Sequence, residues 1–207
     1  MDYWGFTPYD IDKWNLAEER ILFVASEPNG DRPNSGVLDM GDWFRTTTVK
    51  NNYHGNPQFF RRCKIILNGI NYKYTGNIFD NFRFMDLKAT QGGAQADPTA
   101  VSDYVENNMN DVIKYFNSTD INFGLSPHII VLLGNPAQSI FISCIRDKII
   151  INENLKWIAM PHPSHTVSYD GLKKASKMIR EHLKPINHQA DKWVYHKDNV
   201  DDWRSIS

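Results

Sequence analysis

Two short loops carry residue types that could do chemistry together. Ala25-Ser26-Glu27-Pro28-Asn29-Gly30 directly follows the apolar run Ile21-Leu22-Phe23-Val24. Pro161-His162-Pro163-Ser164-His165 directly follows Trp157 to Met160. A carboxylate facing a histidine across a sheet edge can act as a general base and an electrostatic partner. Taken singly, Glu27 could be a solvated turn acid and Pro-His-Pro-Ser a stiff turn. The two gain meaning together only if their strands belong to one sheet and end at the same edge.

The elements that would place them so can be read along the chain. Three helices are marked by a capping residue followed by proline, a preferred start. Asn56-Pro57 opens one, with Phe60, Cys63, Leu67 and Ile70 at helical spacing. Asp97-Pro98 opens a second, running through Val101, Val105, Met109, Val112 and Phe116. Asn135-Pro136 opens a third, with Ile140, Phe141, Cys144 and Ile145. Strand-like apolar runs lie at Ile21 to Val24, Phe82 to Leu87, Ile129 to Leu133 and Trp157 to Met160. A last helix spans about Asp170 to Lys184, burying Leu172, Ala175, Ile179 and Leu183.

Strands alternating with helices predict an α/β fold: a single three-layer domain, with a short four-stranded parallel sheet between helices. Ligands of such sheets sit at the carboxyl ends of the strands. Residues 1–20 form an acidic, Trp- and Tyr-rich N-terminal extension, 21–185 the domain, and 186–207 a C-terminal extension. The long loop from Ser26 to Asn56 is of the kind that usually carries function.

Composition narrows the partners. The 207 residues carry 23 basic and 24 acidic side chains, a net charge of -1, so binding of DNA through bulk charge is excluded and a local basic face is not. The longest apolar run, Ile129 to Leu133, is too short to span a membrane. The start Met-Asp-Tyr-Trp shows no leader, and two distant cysteines, Cys63 and Cys144, build no disulfide framework or zinc ribbon. The expectation is a cytoplasmic protein, a monomer, with no metal, no cofactor and no membrane partner.

On these motifs the chain resembles the uracil-DNA glycosylase superfamily. Val24 to Gly30 looks like its first motif, a strand ending in a Gly-x-(Asp/Asn/Ala)-Pro turn, and His162-Pro163-Ser164 looks like its His-Pro-Ser-Pro motif. Met85-Asp86-Leu87-Lys88-Ala89-Thr90-Gln91-Gly92-Gly93 is similar to the segment after the second strand in the iron–sulfur branch. Val131 to Asn135 resembles the third strand and its turn. The resemblance spans roughly residues 20–184. It implies hydrolysis of the N-glycosidic bond of a base flipped out of DNA. By this likeness Glu27 orients water and stabilises the cationic sugar, while His162 hydrogen-bonds the departing base. Ser164 and His165 lie where a DNA phosphate would be held. A basic helix with Lys173, Lys174 and Lys177 offers the local positive face.

Departures from the family shape the expected substrate. Two cysteines cannot supply the four of the iron–sulfur branch. Asn29-Gly30 replaces the tyrosine that walls off bulky pyrimidines. Met85-Asp86 stands where an asparagine would read uracil, and a carboxylate there suits the amino group of a cytosine-type base. Trp43 or Phe44 would stack under the flipped base. A lyase reaction would need a nucleophilic lysine, for which Lys88 is the candidate. The expectation is therefore a cofactor-independent, monofunctional glycosylase for a modified, bulky cytosine-type base such as viral DNA carries. The alternatives are a uracil enzyme of DNA repair and an inactive DNA-binding module of the same fold. A flavodoxin-like phosphate binder fits less well, because Ser-Glu-Pro-Asn puts an acid and a proline where amides would meet phosphate.

Overall fold

Strands covered by helices on both faces need apolar side chains at every position rather than at every second one. β1 (Ile21–Ala25) and β3 (Ile129–Leu133) are of this kind, buried throughout. β2 (Phe82–Asp86) and β4 (Lys156–Met160) complete the parallel part of the sheet. The computed structural model describes residues 11–27, 57–70, 82–90, 92, 96–117, 126–149, 154–160, 162–163, 172–173, 176 and 179–186.

The strand order is β2-β1-β3-β4-β5. The fifth strand, β5 (Lys184–Pro185), corrects the expectation of four parallel strands, because it pairs antiparallel with β4 and makes the sheet mixed. It also ends the last helix sooner than its apolar spacing suggests. Arg180–His182 tighten into a 3-10 turn, and Leu183 is already extended.

The helices are α1 (Ile11–Leu16), α2 (Pro57–Ile70), α3 (Pro98–Asn107), α4 (Met109–Asn117) and α5 (Asn135–Ile140). Asp97 caps α3 as expected, its side chain accepting from the amides of Thr99 and Ala100. The expected single helix to Phe116 breaks at Asn108. That residue's side-chain amide bonds the Tyr104 carbonyl at 2.8 Å, and such local competition ends a helix. Its own carbonyl then accepts from Asp111 and Val112 and starts α4. At α5 the cap is Gly134 rather than Asn135, with no side-chain cap bond. The helix then widens into a π turn over Phe141–Ile145, closed by the Arg146 amide on the Phe141 carbonyl.

Two cores result, one on each face of the sheet. Against one face α2 packs Cys63, Ile66, Leu67 and Ile70 onto Phe23, Ala25, Phe84 and Met160, joined by Leu172 and Ile179. Against the other, α3, α4 and α5 pack Val101, Val105, Val112, Phe116 and Ile140 onto Val24, Met85 and Leu132. Each fully buried aliphatic side chain here contributes about 1.5–3 kcal/mol. Trp14 of α1 and Ile186 just after β5 are buried in this second core, so the packed unit reaches past 21–185 at both ends. Trp14 also covers the buried Arg83 guanidinium, 5.1 Å from its ring centre, and burial pushes the Arg83 pKa down to about 10.

Candidate active site

β1 and β3 are neighbours, yet α2, which follows β1, packs on one face of the sheet and α5, which follows β3, on the other. Such a switch point opens a crevice at the carboxyl ends. The register aligns Val24, Leu132 and Ala159 in one row. Glu27 lies three residues beyond Val24, and His162 three beyond Ala159. Both therefore leave the same edge at the same height. Two strand spacings of about 4.8 Å put β1 and β4 roughly 10 Å apart.

Glu27 is 7% exposed despite standing in a polar turn. Three neighbours account for this. The Lys88 ammonium is ion-paired to Oε2. The Asp97 amide, at the N-terminus of α3, donates to Oε1 at 3.2 Å, where unpaired helix amides favour an anion. Gly92 presents bare backbone to the carboxylate, and a Cβ at that position would overlap the Glu27 carboxyl group. Lys88 reaches Glu27 because β1 and β2 stay paired past their ends. The amides of Leu87 and Lys88 donate to the carbonyls of Ala25 and Ser26, both at 2.9 Å.

Asp86 is paired in register with Ala25, and strand alternation puts it on the face of Phe84, beneath α2. It is buried, and its Oδ2 has no hydrogen-bond partner among the described residues. Burial first, and the neighbouring Glu27 charge second, push its pKa up to about 8. Burial thus favours the neutral acid, which can donate a hydrogen bond as well as accept one, whereas the sequence reading took Asp86 as an acceptor. Met85 turns to the opposite face and is wholly buried among Val24, Leu87 and Val101, so it serves the core.

His162 is half-buried and follows the β4 end directly. The Gly134 amide donates to the Met160 carbonyl at 2.8 Å, locking the β3 turn to the strand that carries His162. Gly134 has φ +84°, a left-handed value that suits glycine, and a Cβ there would lie 3.5 Å from that of His162. One residue on, the buried Pro163 carbonyl accepts from Arg62 Nη1 at 2.8 Å. A buried guanidinium on α2 therefore pins the His162-Pro163 turn.

Lys173 is exposed. Arg180, nearby on the same segment, is committed elsewhere: it forks onto both Glu19 oxygens at 2.9 Å and donates to the Ile70 carbonyl at 2.6 Å. Asn29, Trp43, Phe44, Ser164, His165, Lys174 and Lys177 lie outside the described residues. Among the described residues, no group of three or more His, Cys, Asp or Glu is placed to hold a metal, and no helix is long and apolar enough to cross a membrane. Sequence reasoning missed three parts of the site: Arg62, Gly92 and the pairing role of Lys88. A signal existed for Lys88, two residues after Asp86 and so on the same strand face. Arg62 and Gly92 act through contacts distant in sequence, and no local pattern marks them.

Set against known protein families, curated proteins and solved structures, the chain matches none.

Proposed function

We propose that this chain is a monofunctional DNA glycosylase that hydrolyses the N-glycosidic bond of a flipped-out, non-canonical pyrimidine. The observation that carries the proposal is the shared edge: Glu27 and His162 leave the sheet at one height, on either side of the β3 end. In a dissociating glycosidic bond, positive charge grows on the sugar and negative charge on the base. Glu27, held from two sides by Lys88 and the Asp97 amide, is a fixed negative charge that needs no reorganisation to stabilise the sugar cation. A carboxylate has lone pairs left over for one water, which it would orient towards the anomeric carbon. His162 would donate to the base oxygen that gains charge. The electron pair of the broken bond leaves with the base, the water oxygen bonds the sugar, and the proton that water loses ends on the departing base, which is released neutral.

Two further features support the proposal. Lys88 is engaged by Glu27, and an ammonium so held is no nucleophile, which favours simple hydrolysis over a lyase step. Lys173 is exposed, and the sequence around it, with Lys174 and Lys177, is basic enough to suit phosphates. Asn29-Gly30, with no aromatic wall after Pro28, suits a bulky substituent on the base.

Mass spectrometry of the bases released from natural and phage DNAs tests the proposal directly. A modified pyrimidine released by the wild type and not by Glu27→Gln is the expected result. Release of uracil alone would assign the chain to repair. Tight DNA binding with no release from any DNA would leave a binding module.

A further inference from the structure

Two acids, Glu27 and Asp86, are buried at the carboxyl edge, near enough for the Glu27 charge to act on Asp86, and the Lys88 cation is paired with Glu27. Asp86 has an oxygen with no hydrogen-bond partner among the described residues. A buried carboxylate left unpaired is costly, whereas a buried carboxylic acid is not, so the pair holds a proton on Asp86 and a charge on Glu27. Two like groups driven to opposite protonation states are the usual mark of an acid and a base working together.

Building on the glycosylase proposal, we propose that Asp86 is the general acid that protonates the departing pyrimidine, with Glu27 as the base that returns the proton. The Asp86 O–H proton passes to a ring nitrogen or oxygen of the base as the bond to the sugar breaks, and the bonding pair leaves with the base. Water adds to the anomeric carbon and gives its proton to Glu27. Glu27 hands that proton to the Asp86 carboxylate, restoring the starting state. The sum is one water consumed and one neutral base released. Such a site suits a poor leaving group, as cytosine-type bases are, because it lets the base depart without carrying a full negative charge. His162 and Asp86 then divide the labour: one steadies an oxygen of the base, the other delivers a proton.

Among the described residues, Glu27 beyond β1 is the charged group that acts on Asp86; Lys88, just past the end of β2, is paired to Glu27, and the buried Arg62 of α2, the helix packed on this face, is held by the Pro163 carbonyl. Burial and Glu27 together place the Asp86 titration near pH 8, so the acid is present at neutrality and lost above it.

The test is single-turnover release from oligonucleotides carrying one cytosine-type base that the wild type excises, or one 5-fluorouracil, a far better leaving group. The rate for the cytosine-type base should fall about tenfold per pH unit above the Asp86 titration, and that for 5-fluorouracil should stay nearly level. Asp86→Asn should cost the first substrate ~10²-fold or more, the second little, and should abolish the alkaline fall. Carbon-13 NMR of the Asp86 carboxyl in the wild type needs no variant to fold, and should find it neutral at pH 7. An Asp86 carboxyl ionised at that pH, or an alkaline fall and leaving-group dependence that survive Asp86→Asn, would overturn the assignment alone. Failure of the wild type to release any base would overturn it together with the glycosylase proposal.

Discussion

At the amino edge of the sheet, Arg20 and His128 complete each other's hydrogen bonding. The Arg20 amide donates to His128 Nδ1 at 3.2 Å, Arg20 Nε to the Ser126 carbonyl at 2.8 Å, and the His128 amide to the Arg20 carbonyl at 2.9 Å. At the carboxyl edge two buried acids act on each other, one has an oxygen with no hydrogen-bond partner among the described residues, and a glycine is required for the other to fit. One edge is polar in the manner of a seam. The other is polar in a way that lowers stability. Unfavourable electrostatics concentrated at one end of a sheet otherwise well packed is what a working site looks like, because function tolerates local cost that packing elsewhere offsets.

The contrast breaks most visibly at Glu27. Glu27→Gln keeps the size and removes the charge, so the chemical step should fall ~10²-fold or more, about 2.7 kcal/mol, with DNA affinity nearly intact. Thermal melting should show a modest fall in Tm, since the substitution leaves the largely buried Lys88 ammonium without its charged partner. A Tm drop of the size seen for core truncations would make Glu27 a structural residue and erase the distinction between the edges.

Gly92→Ala sharpens the comparison by geometry alone. The added Cβ falls on the Glu27 carboxylate, which must move. A displacement on that scale should slow the bound-state rate by ~10-fold or more while leaving binding in place. Wild-type rates in this variant would show that the position of Glu27 does not matter to the chemistry.

At the amino edge the expected effect is on stability and not on turnover. Arg20→Met removes the bond to the Ser126 carbonyl and should cost about 1–2 kcal/mol in urea unfolding, with base release unaffected.

The smallest effects are in the pH dependence of Tm, and the two edges should pull it in opposite directions. The Asp86 pKa is raised from 3.8 to about 8 in the fold, so the native state keeps a proton that the unfolded chain has lost. Its contribution is full at acid pH and lost as pH rises through about 8. Asp86→Asn should therefore raise Tm relative to the wild type most on the alkaline side. His128 has the reverse sign. Burial first and Arg20 second lower its pKa below 6.5, so its contribution is present above that value and lost as pH falls. His128→Asn should flatten the acid limb alone.

The sheet was legible because its signals are local. Runs such as Ile129 to Leu133 are too short and too uniformly apolar for anything but a covered strand, and prolines after capping residues mark helix starts within a residue or so. What escaped was decided at a distance or by a single side chain. Asn108 splits one apolar stripe into α3 and α4 without interrupting its spacing, since Met109 resumes the pattern at once. β5 is two residues long, and its pairing depends on the β4 edge being there to receive it. The site was half legible for the same reason. Glu27, Asp86 and His162 announce themselves as polar residues ending apolar runs. The protonation of Asp86 depends on burial and on a neighbour some sixty positions away, and neither is written in the residues beside it.

That brief fifth strand also closes the β4 edge of the sheet. β4 is rich in apolar residues, and without Lys184 and Pro185 beside it the backbone groups of Lys156 and Trp157 would face outward as an open template for a foreign strand. Proline in the covering strand offers no amide, so the ladder stops there instead of growing. The Ile186 amide, bonded to the Leu155 carbonyl at 2.9 Å, fastens the cover in place. A chain cut just before Lys184 would keep every residue assigned here to chemistry, and would be expected to self-associate edge to edge into sheets of many copies.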